Sequence, residues 1–402
     1  MVRVRPVRSR RDRRAFIELP YRLYRHEPLW VPPLRRDVAE MLDPARHPFH
    51  RHSEVELFLA ESRGRVVGRV AAIHNRRHVE FHAERAGFFG FFEIEREPEI
   101  ASALIEAASG WVRGRGLEIL RGPASFSTNE EAGLLVDGFG SPPALMMPWN
   151  PPWYADLLEG AGFRKAKDLL AFYRGHAAVP ERLSRAANAL ARRHNVRIRP
   201  MNKGRFWDEV AAIRRIYNTA WERNWGFVPM TDEEFTFLAK KMKPVVDPDL
   251  VAFAEVDGEL AGFALGIPDL NRALRHANGR LFPIGWLRIL LHARGIDTFR
   301  VLTLGVLEPY RRTGAAEMMY LYLLRTGPKK GITKGEFSWI LEDNAVMRTG
   351  LEKLDAHVYK IYRLYDLPLG AGPGTSAAAA TEEERAPGGA GAGHGPAAAA
   401  GA

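Results

Sequence analysis

Arg311, Arg312, Thr313, Gly314, Ala315 and Ala316 stand between an apolar run that reads as a strand, TLGV at residues 303 to 306, and a helical pattern that begins with small side chains. The first turn of a helix has backbone N–H groups without intrahelical partners at the positive end of the helix dipole, so it can hold a pyrophosphate. Gly314, Ala315 and Ala316 would let phosphate oxygens approach the backbone, while Arg311 and Arg312 would add charge and paired donors. An ordinary strand-to-helix turn with exposed arginines would have the same composition, so the setting of the loop must decide.

That setting is a pattern told twice. Residues 55 to 60 and 66 to 73 read as strands joined by a turn at Ser62, Arg63 and Gly64, and residues 250 to 256 and 260 to 267 repeat this around Asp257 and Gly258. Each hairpin is followed by a strand, an amphipathic helix and another strand. These are residues 87 to 94, about 98 to 115 and 117 to 120 in the first half, and residues 299 to 306, about 314 to 326 and 336 to 341 in the second. The repetition predicts two related α/β units, residues 1–175 and 176–370, followed by an Ala/Gly/Pro-rich tail at 371–402 whose composition cannot bury a core.

Arg311-x-x-Gly314-x-Ala316, preceded by TLGV and the lead-in Glu308-Pro309-Tyr310, resembles the coenzyme A pyrophosphate loop of the GNAT acyltransferase superfamily. The resemblance implies two GNAT-like domains in tandem, each a mixed, mostly antiparallel splayed sheet flanked by helices. It further implies that acetyl-coenzyme A or another acyl-coenzyme A donates its acyl group to an amine. Leu304, Gly305 and Val306 would pair with the pantetheine arm, Arg311 to Ala316 would hold the pyrophosphate, and Asn344 would lie near the coenzyme, although an asparagine before a helix is also a routine N-cap. The N–H of Val306 could polarise the thioester carbonyl. Where many members carry the tyrosine that protonates the thiolate, this chain has Leu351, and Asp355 replaces a common glycine. Tyr359, Tyr362 or Tyr365 could supply the acid instead, and Glu342 or Glu308 the base. In the first half the equivalent turn, Glu95-Arg96-Glu97-Pro98-Glu99, has no glycine and three carboxylates, so phosphate would be repelled there.

The acceptor is expected between the halves, where residues 123 to 154 gather Trp, Met, Pro and Asn, with Trp149, Asn150 and Trp153 as the chosen contacts and Arg223, Asn224 and Trp225 as a weaker set. His74 to His78 lack metal-ligand spacing and read as a polar strand end, and no metal is expected. Residues 281 to 292 read as a buried or cleft-covering helix rather than a membrane-surface anchor. The chain has no cysteine, which excludes disulfides, thiolate metal sites and a cysteine nucleophile. A net charge of +10 suits nucleic acid, anionic membrane or phosphorylated small molecules alike, and the Arg-rich opening reads as a solvated edge strand. No run is apolar and long enough to span a bilayer, so a cytoplasmic address is the default expectation, with a small-molecule or peptide amine as partner, not nucleic acid or an integral membrane. Two other readings stay open: a non-catalytic acyl-coenzyme A sensor, and a tRNA-dependent aminoacyl transferase of related fold.

Overall fold

The computed structural model describes residues 1–175 and 178–370, so the expected 371–402 tail lies outside the described residues. Among the described residues fifteen strands occur: β1 Arg3–Pro6, β2 Ser53–Ser62, β3 Arg65–Asn75, β4 Ala86–Ile94, β5 Ile119–Gly122, β6 Ala124–Ser125, β7 Glu131–Ala132, β8 Leu134–Asp137, β9 Arg164–Arg174, β10 Val196–Pro200, β11 Val251–Val256, β12 Glu259–Pro268, β13 Thr298–Val306, β14 Lys334–Leu341 and β15 His357–Pro368. The expected pair of strands near Tyr359 to Tyr365 is thus one long strand.

Both hairpins form as their turn residues predict. Arg63 and Gly64 join β2 to β3 with φ of 52° and 73°, and Asp257 and Gly258 join β11 to β12 with φ of 51° and 87°. Two successive left-handed residues match the right-handed twist of the strands they link. In each half the third strand then carries a bulge. Ala71 faces Gly90 but Arg69 faces Glu93, and Leu265 faces Thr303 but Gly266 faces Val301. Each third strand pairs in parallel with the next, β4 with β5 and β13 with β14, across a connecting helix. The first of these helices, Pro98–Arg113, buries Ile100, Leu104, Ile105, Ala108 and Val112. It lies close because β3 offers Gly68: a Cβ there would sit 2.8 Å from both Ile100 and Leu104. The second, Ala315–Thr326, buries Met319, Tyr320, Leu323 and Leu324.

The halves exchange their last strands. The sheet order is β1-β2-β3-β4-β5-β15-β9-β14-β13-β12-β11-β10, so the strand that ends the first half pairs with β14 of the second, and the strand that ends the second pairs with β5 of the first. β9 and β15 also pair with each other, antiparallel, from His357 opposite Tyr173 to Asp366 opposite Arg164. The result is a continuous mixed α/β sheet with helices on its faces. Charged groups secure the seam: Arg363 Nε donates to Asp168 at 2.7 Å, and buried Arg121 reaches both Asp366 and Glu84 at 2.7 Å.

At the start of the chain the arginines divide between edge strand β1 and a helix, Arg10–Leu23, closed by a Ser9/Asp12 capping box. Arg5 and Arg8 pair with Glu61 and Glu56 of β2. Residues 281 to 292 depart from expectation in part. Their helix, Gly285–Ala293, is not buried, since Trp286, Leu287, Leu290 and Leu291 are 50%, 42%, 55% and 59% exposed, but Leu291 and His292 line one side of a cavity. Helical spacing alone could not reveal that Trp286, Leu287 and Leu290 face outward.

Burial acts to raise the Asp168 carboxyl, but Arg363 and Lys165 outweigh it and hold the carboxyl below its ordinary value. Asp168→Ala is expected to lower stability by about 2 kcal/mol at neutral pH, read as a lower urea midpoint at unchanged slope. Because the folded-state value is depressed, the contribution is in place above about pH 4 and fades as pH falls through that depressed value. Variant and wild type should therefore converge in acid, and equal midpoints at pH 7 would show that the pair holds nothing together.

Candidate active site

The loop after β13 has the shape its residues predict. Leu307 enters a 3-10 turn at Glu308–Tyr310, the hydroxyl of buried Thr313 donates to the Tyr310 carbonyl at 2.7 Å, and Gly314 opens the helix with φ +86°. A side chain at Gly314 would be strained by that φ, and its Cβ would sit 3.1 Å from Leu190. The N–H groups of Ala315, Ala316 and Glu317 have no carbonyls one turn earlier in the helix to donate to, so they remain available to an anion. Arg312 is exposed, whereas Arg311 folds back, its guanidinium donating to the carbonyls of Val306 at 3.4 Å and Ala220 at 3.3 Å. Arg311 therefore braces the loop against the preceding strand.

The splay lies directly upstream. β13 and β14 pair only from Thr298 opposite Lys334 to Val301 opposite Phe337, after which β14 turns to β9, with Ile340 opposite Leu170 and Leu341 opposite Leu169. Leu302, Thr303 and Leu304 are half-buried while Phe299 to Val301 and Gly305 to Val306 are buried, as expected where a strand loses its neighbour. Leu307 N–H donates to Ala261 at 2.9 Å, so strand alternation directs the N–H of Val306 the other way, into the gap. Gly305 is needed on the opposite face, because its Cβ would collide with the indole of Trp221.

Arg300, on the paired part of β13, interacts with a group that the sequence did not single out. Glu131, on the short strand β7, is open to solvent and forms no hydrogen bond or ion pair among the described residues. Surrounding protein disfavours its charge and raises its pKa, with Arg300 and Arg69 pulling the other way. Arg300 is buried on β13 and donates to the Ser338 hydroxyl at 3.0 Å and to the Leu145 carbonyl. Tyr362 lies in the same field. Its hydroxyl is fully buried without a partner, and burial, Glu336 and Glu131 push its pKa well above the ordinary tyrosine value. A third unpartnered group, the Thr303 hydroxyl, is on the splayed part of β13 itself. The only sequence signal for Glu131 was a pair of adjacent carboxylates, Glu130-Glu131, after the polar run Ser127-Thr128-Asn129. Glu130 serves its own loop instead, accepting from Ser127 at 2.5 Å, and burial raises its pKa to about 7. That loop is tied to the second half by Asn129, which accepts from Tyr217 at 2.8 Å and donates to Val228 at 3.1 Å.

Several expected site residues are committed elsewhere. Glu342 accepts from Lys165 at 2.5 Å and from the Asp168 N–H at 3.0 Å, so both its oxygens hold β14 to β9 and it is not a free base. Glu308 pairs with Arg223 at 3.6 Å. Tyr359 donates to Glu336 at 2.8 Å, and Tyr365 to Glu159 at 2.9 Å. Leu351, which stands in the expected tyrosine position, is fully buried in the core, and Asn344 caps the helix Ala345–Glu352 by accepting from Met347 N–H at 3.1 Å. Asn150 is not an acceptor contact: its amide oxygen accepts from Leu135 N–H at 2.7 Å, and its nitrogen donates to Leu135 and Pro151 at 3.0 Å each. Trp149 packs edge-on against Tyr24 and Trp153 against Tyr154 in a separate cluster, so the three residues do not converge. The weaker set is the better placed one. Arg223, Asn224 and Trp225 join His78, His82 and Arg121 around a cavity of about 590 Å³ between the halves, and Arg223 touches Glu308 at the head of the phosphate-type loop. In the first half Glu95 occupies the turn after β4, paired with Arg22 and Arg65 at 3.2 and 2.8 Å.

No family model matches the chain. Protein YghO of Escherichia coli is 36% identical over 371 residues, covering 90% of this chain and 94% of that protein. A Caulobacter vibrioides protein named bacterial ceramide synthase is 35% identical over 372 residues, or 90% of this chain and 97% of its own length. Among solved structures, a tandem GNAT protein from the clavulanic acid biosynthesis pathway superposes with a TM-score of 0.52 at 13% identity, over 92% of this chain and 99% of that one. At such identity the likeness shows the fold, two GNAT units in tandem, and not the reaction.

Gly314→Glu places a carboxylate where a phosphate would sit and a Cβ against Leu190. Calorimetric titration with acyl-coenzyme A is expected to show at least about a 100-fold weaker Kd, or about 2.7 kcal/mol. Unchanged affinity in a folded variant would remove this loop from the binding site.

Proposed function

Because the chain belongs to the family of protein YghO and the bacterial ceramide synthase, we propose that it is an N-acyltransferase that moves an acyl group from acyl-coenzyme A to the amine of a long-chain amino alcohol. A ceramide is the amide of a fatty acid with a sphingoid base, so the relative's name supplies both substrate classes. The observation that carries the reading is the splay of β13 from β14 directly upstream of the Gly314 loop, with Glu131 interacting electrostatically with Arg300 of the same strand, β13.

Each step falls to a group of this chain. Acyl transfer forms a C–N bond and breaks a C–S bond. The amine must lose a proton, and the departing thiolate must gain one. Glu131, with its raised pKa and no competing partner, takes the proton from the amine, directly or through a water. The N–H of Val306 stabilises the charge that develops on the thioester oxygen. The Tyr362 hydroxyl stays protonated at neutral pH and is the acid available to the thiolate. Leu304, Gly305 and Val306 would offer strand backbone to the pantetheine amides, and the Thr313 to Ala316 turn would take the pyrophosphate, with Arg312 nearby. The alternative acyl-coenzyme A sensor would have no use for an unpaired carboxylate beside the splay, and nothing in the site favours tRNA.

Purified protein supplied with acyl-coenzyme A of increasing chain length and a sphingoid base is expected to release free thiol in step with an N-acyl product identified by mass. A folded protein that binds acyl-coenzyme A yet acylates no long-chain amine would overturn the acceptor assignment. Glu131→Gln should lower kcat by roughly 100-fold or more with little change in acyl-coenzyme A affinity, whereas Glu342→Gln should alter stability and leave kcat within a few-fold. A base works deprotonated, so kcat/KM should fall as pH drops through the raised pKa of Glu131, above the ordinary glutamate range of about 4.3. A rate indifferent to the Gln substitution would remove Glu131 from the reaction.

A further inference from the structure

The segment from residue 270 to 296 contains five arginines and two histidines and no aspartate or glutamate. Its tip gathers most of the large exposed apolar side chains among the described residues. Of the eleven large apolar side chains exposed among the described residues, six lie within residues 282 to 291: Phe282, Ile284, Trp286, Leu287, Leu290 and Leu291. Phe282 alone is 74% exposed. The base of this projection is fixed, since Arg35 donates to the carbonyls of Gly279 at 3.1 Å and Asn278 at 2.8 Å, and the His276 and His292 rings stack at 3.6 Å. The turn is tight: Trp286 N–H donates to Leu281 at 2.8 Å, and a Cβ on Gly285 would strike the Arg280 carbonyl. Four of the six apolar side chains are therefore presented on a preformed helix, Gly285–Ala293, with Phe282 and Ile284 in the turn before it. Around them Arg275, Arg280, Arg288 and Arg294 are exposed, and none of the four forms an ion pair among the described residues.

We infer that this projection seats the protein on the surface of an anionic lipid bilayer. A short helix with tryptophan, phenylalanine and leucines flanked by unpaired arginines suits the boundary between headgroups and acyl chains, where the apolar residues enter and the guanidinium groups meet phosphates. No helix among the described residues is long and apolar enough to cross a membrane, so the contact is with one leaflet. Charge argues against a second copy as occupant: an isologous contact would set four unpaired arginines against four. Composition argues against the chain's own 371–402 segment, which contains no large apolar residue to fill such a surface. A cavity of about 710 Å³, lined by Arg275, His276, Leu291 and His292 and reaching Glu336 and Tyr359, opens beside the helix. Amphiphile delivery through this cavity rests on the acyltransferase reading; the docking itself does not.

The test is co-sedimentation of the full chain with vesicles of phosphatidylglycerol and phosphatidylethanolamine, against vesicles of phosphatidylcholine alone, at low and high salt. Wild type is expected to partition at least tenfold more strongly onto the anionic vesicles, and salt should weaken that preference. Leu290→Ser combined with Leu291→Ser should reduce binding at least tenfold, and Arg280→Gln with Arg288→Gln and Arg294→Gln should abolish the anionic preference. These positions are exposed, so urea midpoints should match wild type and separate lost docking from lost fold. Wild type left in the supernatant at low salt, or serine variants that bind as well as wild type, would overturn the inference. So would light scattering that finds a dimer dispersed by the serine substitutions without vesicle binding. Loss of acyl transfer with vesicle binding intact would count against the proposed reaction and leave the docking standing.

Discussion

The antiparallel pairing of β9 with β15 is the contact on which the remaining architecture depends. Each of these strands completes the sheet of the half that it does not belong to, so the parallel pairs β4/β5 and β13/β14 are both closed from the far side by exchanged strands. Backbone pairing alone would permit slippage by two residues, which keeps every side chain on its face. The charged groups oppose this, since Arg363 of β15 lies directly opposite and bonds Asp168 of β9, while Arg121 of β5 bonds Asp366 on the other edge of β15. With that register fixed, Leu170 and Leu169 draw the end of β14 away from β13, and the gap beside Thr303 opens.

The centre of the molecule is unusually polar for a sheet interior. Arg300, Ser338, Glu336 and Tyr359 form one hydrogen-bonded chain beneath the splay, with bonds of 3.0, 2.6 and 2.8 Å. Arg69, Glu93, Tyr24 and Tyr154 form another beneath the first half, where burial raises the Glu93 carboxyl while Arg69 lowers it. Buried charge is costly unless its partners are fixed, and these networks supply partners from strands of both halves. Two of the buried groups left without partners, the Tyr362 hydroxyl and the Thr303 hydroxyl, belong to β15 and to the splayed part of β13. Unpartnered buried hydroxyls beside a gap in a sheet are groups that a bound molecule can satisfy.

Local chemistry was legible in the sequence and long-range pairing was not. The Arg63-Gly64 and Asp257-Gly258 turns, the Gly314 loop and the Asn344 cap each depend on residues within a few positions of one another, and each stands where the spacing placed it. Strand exchange leaves no such trace, because β9 and β15 present the same alternation whichever edge they join. Glu131 was missed for a related reason. Its significance comes from Arg300 and Arg69, which are distant in sequence and reach it only through the sheet. Trp149, Asn150 and Trp153 drew attention through composition, yet Asn150 serves the backbone of β8 and the two indoles belong to different clusters. Glu342 lay close to the right strand, but no spacing rule could show that Lys165 and the Asp168 N–H already occupied it.

The exchanged strands also impose an order of events during synthesis. β9 leaves the ribosome long before β14 and β15 exist, so for much of translation a central strand of the finished sheet has neither of its neighbours. Phe172 and Ala171, fully buried at the end, begin as an unpaired strand edge of the kind that other chains can capture. Only the final dozen or so described residues, those of β15, close the first half as well as the second. A ribosome that stalls or terminates before that strand would therefore release two incomplete sheets rather than one finished half, which makes the C-terminal strand a checkpoint for the whole chain.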